Sequence, residues 1–208
     1  MIDGKPMRRE LVEGRPVLLA IDIQGGDGQA IPMMEGYAQR MRAAATVIAK
    51  ARACRIPVVF SQEVHRADMV DFGRELDGTE DVHLLEGVES TAIDAEFVEL
   101  LPKDYVITKR RYSCFYGTDL EILLKGLHAD TLILVGSLTD VCVHYTFVDG
   151  HQHDYFCRIV EDCVCGSGLA AHEAALNAME YLQAGARRTS EEVMAAFEVY
   201  ARDQVRVE

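Results

Sequence analysis

The chain has 208 residues, 49% of them hydrophobic and 26% charged, which excludes a disordered chain and is typical of one globular domain with a substantial core. Its formal net charge of −13 argues against nucleic acid as a partner, because phosphate binding depends on Lys and Arg. No apolar run approaches the roughly 18 residues of a membrane span and residues 1–6 lack the apolar stretch of a signal peptide, so we expect a cytoplasmic protein without a membrane partner.

Strand-like and helix-like segments alternate along the first part of the chain, as in a parallel sheet covered on both faces. The apolar run 16–22 predicts the first strand, and apolar residues at helical spacing predict a helix over about 36–55. Residues 57–61 predict the second strand. Residues 62–89 are polar and aperiodic, and a stretch of this length in a compact domain predicts a structured active-site loop.

The alternation continues to the end of the chain. Ser90 predicts a short helix to Leu101, and Thr118 with Glu121 has the spacing of a capping box for a helix over 119–128. The other predicted elements are strands over 104–108, 131–135, 156–161 and near 186–188, and helices over about 141–152, over 170–183 and from Thr189–Glu192 onward. We therefore predict a single α/β domain over 1–208, with a core over about 15–196. Its predicted form is a Rossmann-like three-layer sandwich, in which helices cover both faces of a six-stranded, mainly parallel sheet.

Three chemically active residues follow separate predicted strands: Asp22 the first, Lys109 the third and Cys142 the fourth. Parallel sheets bind ligands at the carboxyl ends of their strands, so we expect these side chains to share one cavity. Cys142 also lies where a strand turns into a helix, and a helix N-terminus beside an ammonium group favours thiolate. Spacing alone also allows non-catalytic roles: Asp22 as a carboxylate that orders a loop, and Lys109 as a solvated surface charge.

Four segments together resemble the isochorismatase-like cysteine hydrolase superfamily: residues 19–24, residues 107–120, residues 136–146, and Val160–Asp162 with the downstream His172. The resemblance covers about residues 15–196. Its members that cleave an ether carry Asp where Cys142 stands, so the thiol points to the amidase branch. The resemblance also implies self-association into a homo-oligomer.

The resemblance implies a role for each site residue. Cys142 corresponds to the nucleophile, Lys109 to the lysine that stabilises its thiolate, and Asp22 to the carboxylate that shuttles protons. A cis peptide is implied between Asp140 and Val141, with the backbone N–H groups of Val141 and Cys142 as the oxyanion hole. The expected reaction is cleavage of a C–N bond in a small amide, carbamoyl or ureido compound, through a thioester, with release of ammonia or an amine.

A metal-assisted reaction of the nicotinamidase type is the first alternative. Nicotinamidases carry Asp-x-His after the second strand and a further His, and these residues hold a metal. This chain has Glu63, His65 and His83 instead, and the longer glutamate displaces the carboxylate. We expect no cofactor and keep these three as candidate metal ligands; Gln24, His65 and Phe115 are the candidate substrate-binding residues.

Two further alternatives belong to other functional classes. A cysteine with a depressed pKa also oxidises readily, so a thiol redox protein would use Cys142, with Cys114 as the resolving thiol. A catalytically silent member would bind a small molecule as an oligomer. In each case the partner is a small molecule.

Overall fold

The computed structural model describes residues 10–25 and 31–205. The residues behind the signal-peptide argument, 1–6, lie outside this range. Within it, six strands form one sheet in the order β3-β2-β1-β4-β5-β6, and every pair is parallel. The strands are β1 (Pro16–Ile21), β2 (Val58–Glu63), β3 (Tyr105–Lys109), β4 (Thr131–Ser137), β5 (Phe156–Cys165) and β6 (Arg187–Arg188).

Helices cover both faces of this sheet. The α-helices of the described residues are α1 (Tyr37–Ala53), α2 (Leu120–Gly126), α3 (His144–Gln152), α4 (Leu169–Leu182) and α5 (Ser190–Val205). Short 3₁₀ turns occupy Glu75–Asp77 and Glu89–Thr91, and a π-helical turn occupies Thr139–Val143. The predicted α/β fold with a six-stranded sheet is confirmed, and none of the helices described is long and apolar enough to cross a bilayer.

Alternating side chains of β1 explain the three layers. Leu19 and Ile21 pack into a cluster with residues of α2, α3 and α4, whereas Leu18 and Ala20 pack into a second cluster with residues of α1 and α5. Successive strand residues point to opposite faces, so a strand that is apolar throughout is buried on both. Packing on both faces therefore fixes the position of β1, and with it the position of Asp22, the residue that follows the strand.

The helix predicted over 90–101 is wrong. Ile93 forms an antiparallel bridge with Gln24, and the Asp94 N–H donates to the Ile23 carbonyl at 2.9 Å. These backbone groups bond to the extension of β1, so they are not available for a helix. Only the 3₁₀ turn Glu89–Thr91 forms there, and Ser90 lies inside it.

The end of one strand and the cap of one helix also differ from the prediction. β5 continues to Cys165, because a register shift against β4 leaves Asp162 exposed while the residues after it return to the core. The capping box expected at Thr118 is incomplete: the Thr118 hydroxyl accepts from the Leu120 N–H at 3.2 Å, but Glu121 pairs with Lys125 instead of the backbone. The box forms at α5, where the Thr189 N–H bonds the Glu192 carboxylate at 3.0 Å and the Glu192 N–H bonds the Thr189 hydroxyl at 3.3 Å.

Candidate active site

Lys109 brings the ends of three strands together. Its Nζ lies 2.8 Å from Asp22 Oδ2 and 3.4 Å from Cys142 Sγ. All three side chains are buried, and Lys109 is fully enclosed at 0% exposure. An ammonium group shielded from water is stable only beside negative charges. The acidic neighbours of Lys109 therefore determine how its charge acts within the site.

Asp22 is held by the two strands beside β1. Its backbone has φ 48°, an uncommon left-handed conformation for a residue other than glycine. The Asp22 N–H donates to Ser61 Oγ at 3.2 Å, and that hydroxyl donates to Asp22 Oδ1 at 2.7 Å. Ser137 Oγ donates to the Asp22 carbonyl at 3.1 Å. One end of the carboxylate is thus fixed by Ser61, while the other faces Lys109.

Gly136 allows β4 to approach β1 beside Asp22. Its φ is +117°, and a Cβ at this position would lie 1.9 Å from the Ile21 carbonyl oxygen. Only glycine has room there and adopts this backbone conformation without strain. The position of the segment from Gly136 to Cys142 relative to Asp22 therefore depends on this residue.

The turn that carries Cys142 is tied to the start of α4. Asp140 Oδ1 accepts from the Ser167 N–H at 2.8 Å, and its other oxygen accepts from the Ser167 hydroxyl. Thr139 Oγ1 lies 2.9 Å from His172 Nδ1, and both residues are buried. These contacts fix the π-helical turn from outside, and π-turns occur often at functional sites.

The predicted cis peptide between Asp140 and Val141 is wrong in position. The cis bond of the described chain joins Ser137 to Leu138, whereas Asp140 and Val141 lie within the π-helical turn, where the backbone is helical. The oxyanion prediction for Val141 also changes, because its N–H already donates to the Leu138 carbonyl at 3.1 Å.

Glu63 is the residue that sequence reasoning did not place at the nucleophile. It is the last residue of β2, directly opposite Lys109 in the β2–β3 register, and its carboxylate forms an ion pair with Lys109. The same oxygen, Oε2, lies 3.5 Å from Cys142 Sγ. The signal in the sequence was the position of Glu63 two residues after Ser61. The second strand was predicted to end at residue 61, so Glu63 was assigned to the following loop.

The two carboxylates at Lys109 have opposite pKa shifts. Burial raises the pKa of Asp22, and the negative charge of Glu63 adds to that shift. Burial acts on Glu63 as well, but Lys109 and hydrogen bonds with His65 and His83 hold the pKa of Glu63 well below its usual value. Glu63 is therefore the constant counter-ion of Lys109, and Asp22 is the carboxyl group suited to exchange a proton.

Cys142 is a thiol in the resting site. Burial raises its pKa well above the ordinary value, with Lys109 opposing the shift and both carboxylates adding to it. The depressed pKa expected from Lys109 and the helix end is therefore not found, because burial outweighs the attraction of Lys109 and two carboxylates share the lysine charge. A protonated thiol of this kind can act as a nucleophile only when a base removes its proton.

A second polar cluster adjoins the first through Glu63. Glu63 Oε1 lies 3.2 Å from His65 Nε2 and 3.5 Å from His83 Nε2, and Glu75 Oε2 lies 3.1 Å from His65 Nε2. The carboxylates raise the pKa of His65 to about 9 despite its burial. The three candidate metal ligands thus come together, with Glu75 as a fourth that the sequence did not reveal.

Three candidate substrate-binding residues have other surroundings. The Gln24 side chain borders the cavity, but its amide bonds the backbone N–H and carbonyl of Glu63, both at 2.9 Å. His65 is fully buried and stacks on Phe72, and it is not in the cavity wall. Phe115 stacks on His153 and packs against the core. Gln24 therefore remains a candidate for contact with substrate, whereas His65 and Phe115 are not among the described residues that line the cavity.

A cavity opens over Cys142. The volume open to the centres of water-sized molecules is about 40 Å³, so the cavity is narrow and suits only a small substrate group. The structured loop 62–89 supplies part of its wall, as the sequence predicted for this segment. The described residues that line it are Asp22, Gln24, Ile31, Met33, Glu63, Glu80, His83, Leu84, Tyr112, Ser137, Leu138, Val141 and Cys142.

Comparison with known proteins defines the class. The structure of a cysteine hydrolase from Pseudomonas syringae pv. phaseolicola 1448A has the same fold. Its TM-score is 0.83 at 22% identity, and the match covers 94% of this chain and 99% of that one. The Isochorismatase domain model matches residues 16–192. The chain belongs to the isochorismatase family.

Two curated relatives are amidohydrolases. Ureidoacrylate amidohydrolase of Methylorubrum extorquens is 31% identical over 179 residues, covering 77% of this chain and 68% of that protein. Maleamate amidohydrolase of Pseudomonas putida is 32% identical over 170 residues, covering 78% of each. These names support hydrolysis of amides as the general activity.

Proposed function

We propose that the chain is a single hydrolase domain that cleaves the C–N bond of a small amide, carbamoyl or ureido compound through a thioester on Cys142. The observation that carries the proposal is the placement of Cys142 Sγ 3.4 Å from Lys109 Nζ, which in turn lies 2.8 Å from Asp22 Oδ2, at the wall of a small-molecule cavity. A nucleophile, an acid–base group and a fixed positive charge are what acyl transfer requires.

Asp22 serves in the first half-reaction. It takes the proton from Cys142 as the sulfur attacks the substrate carbonyl, then passes that proton to the leaving nitrogen. The C–S bond forms, the C–N bond breaks, and ammonia or an amine departs. Its raised pKa makes Asp22 a stronger proton acceptor than Glu63, whose pKa is lowered.

The second half-reaction uses the same carboxylate. Asp22 takes a proton from water, the resulting hydroxide attacks the thioester, and Cys142 leaves and recovers its proton from Asp22. Lys109 remains charged throughout and stabilises the sulfur whenever it carries negative charge. The Cys142 N–H stabilises the oxyanion. The Val141 N–H becomes a second donor when it releases the Leu138 carbonyl and donates to the substrate oxygen instead.

Ammonia release from a panel of primary amides, ureides and carbamoyl compounds tests the proposal. We expect Cys142→Ala to abolish release while its circular dichroism stays that of the parent protein. Cys54→Ala is the matched control, because this half-buried thiol lies outside the cavity and should be dispensable. Full activity of Cys142→Ala would contradict the proposal.

A divalent metal is the second candidate feature, since the donors Glu63, His65, Glu75 and His83 lie within 4.8 Å of one another. Two imidazoles and two carboxylates suit zinc or a similar ion, and Asp71, 3.4 Å from His65 Nδ1, would orient that ring. Such an ion would polarise a substrate carbonyl. Zinc binding measured by calorimetry should weaken at least tenfold in His83→Gln, a loss in the range typical of ligand removal, and equal affinity in both proteins would exclude these ligands.

The thiol redox alternative has less support. Burial raises the pKa of Cys114 to about 11, and that of Cys142 is raised as well. Neither sulfur has the thiolate character that peroxide-reducing cysteines need.

A further inference from the structure

The wall of the cavity is acidic. Among its described residues are Asp22, Glu63 and Glu80, and none is Lys or Arg. The described side chains of the wall therefore offer a ligand three carboxylates and one ionisable imidazole, that of His83.

Glu80 is the carboxylate that the mechanism does not use. Asp22 and Glu63 pair with Lys109, whereas Glu80 is half-buried in the wall, where the charges of His83 and Lys109 act on it at a distance and no described residue donates a hydrogen bond to it. Burial raises its pKa. A half-buried carboxylate without a donor is stabilised by a ligand that brings one, especially a charged one.

The nearest cationic groups are already paired. The charge of Lys109 lies between two carboxylates, and His83 faces Glu63 at 3.5 Å. Arg110 donates to the Val64 carbonyl and lies 3.5 Å from Asp71, outside the cavity wall. Of these groups only His83 lines the cavity, and its two ring nitrogens already face Glu63 and the Asp81 carbonyl.

We infer that Glu80 selects the substrate, and that this site takes small amides carrying a protonated amine and discriminates against amides carrying a carboxylate. The inference rests on the proposed amidase function and deepens it. Ureidoacrylate and maleamate, the substrates named for the two relatives, are carboxylate anions, so this chain would differ from both in the charge of its substrate.

Three matched amides test the inference: 5-aminopentanamide, pentanamide and the monoamide of glutaric acid, which differ mainly in the terminal group. We expect kcat/KM for ammonia release to fall in that order in the parent protein. Glu80→Gln should lower the value for the ammonium amide about tenfold, as expected for loss of a charged hydrogen bond, with little change for pentanamide. Glu80→Lys should favour the carboxylate amide.

The controls separate this inference from the amidase proposal. Glu89→Gln makes the same change at an exposed residue outside this cavity and should leave all three values unchanged. Binding of the three amides to Cys142→Ala, measured by calorimetry, gives the charge preference without turnover. If Cys142→Ala binds the ammonium amide best but the parent releases no ammonia, the amidase proposal fails and the specificity stands. The inference is overturned if the carboxylate amide binds as tightly as the ammonium amide, or if Glu80→Gln leaves their ratio unchanged.

Discussion

At the scale of single residues, the site is organised by two carboxylates that share one lysine. Glu63 and Asp22 both contact Lys109, yet burial leaves Asp22 with a raised pKa while Glu63 also gains bonds from two histidines. These different partners support the proposed division of roles, with Glu63 as counter-ion and Asp22 as proton carrier.

Substitution of the two carboxylates should therefore have unequal effects. Asp22→Asn removes the acid–base group, so we expect kcat to fall by roughly 10²–10⁴-fold. Glu63→Gln leaves Lys109 paired with Asp22 and should cost clearly less. Single-turnover ammonia release compares the two variants, and an equal loss in Glu63→Gln would assign proton transfer to Glu63 instead.

The sequence indicated part of this site. Asp22, Lys109 and Cys142 stood out because each follows an apolar run. Glu63 stood out only as a candidate metal ligand and Glu75 not at all, because their contacts depend on strand register and on how the loop folds back. The raised pKa of Cys142 was equally hidden, since it depends on burial and on the sharing of the lysine charge.

At the scale of elements, the contact between β1 and β4 positions the site. Gly136→Ala would place Cβ 1.9 Å from the Ile21 carbonyl oxygen at a φ of +117°. We expect a loss of about 3 kcal/mol or more in the free energy of unfolding, together with loss of activity. Urea denaturation provides the measurement.

Gly126→Ala is the matched control. This glycine is the last residue of α2, its φ is not positive, and a Cβ there would meet nothing within 4 Å. Alanine should leave stability unchanged or raise it by up to about 1 kcal/mol. Equal destabilisation by the two substitutions would mean that the close approach at Gly136 is unimportant.

The loop 62–89 should make stability depend on pH. The pKa of His65 is about 9 in the folded protein, against an ordinary value of 6.5. A raised pKa means that this stabilisation is complete below pH 6.5 and is lost as pH rises through about 9. In protein treated with chelator, we expect a loss on the order of 1–3 kcal/mol over that window.

Urea midpoints at several pH values measure this loss. His65→Gln should flatten the pH dependence, whereas His153→Gln, which changes a more exposed histidine, should not. Stability that stays constant between pH 6.5 and 9 in the parent protein would contradict the assignment.

Local sequence patterns predicted the strands of the sheet but not the segment over 90–101. The parallel strands were predictable because strands buried on both faces are apolar throughout, as β1 and β4 are. The false helix over 90–101 had no such signal against it. Its backbone bonds to the segment after β1, a contact across about 70 residues that local periodicity does not contain.

At the scale of the whole molecule, we propose self-association through the β3 edge of the sheet. Among the residues that the structure describes, this strand pairs only with β2, and Tyr105 and Val106 are 40% and 46% exposed. Leu100 and Leu101, just before it, are also exposed. An apolar edge of this kind is commonly covered by another chain.

Sedimentation equilibrium tests this proposal. We expect a mass that is a multiple of 23.1 kDa, and weaker association in Val106→Lys. Ile122→Lys places the same charge at an exposed position on α2 and should not change the mass. A monomer at micromolar concentration would contradict the proposal.

The central claim is that Cys142 becomes acylated while Asp22 and Lys109 act on the same substrate. Intact-mass spectrometry of protein acid-quenched during turnover of the best amide tests it most directly. The predicted result is an added mass equal to the acyl group, located on the peptide that contains Cys142 and absent from Cys142→Ala. Amide hydrolysis at the parent rate in Cys142→Ala, without any adduct in the parent protein, would contradict the account.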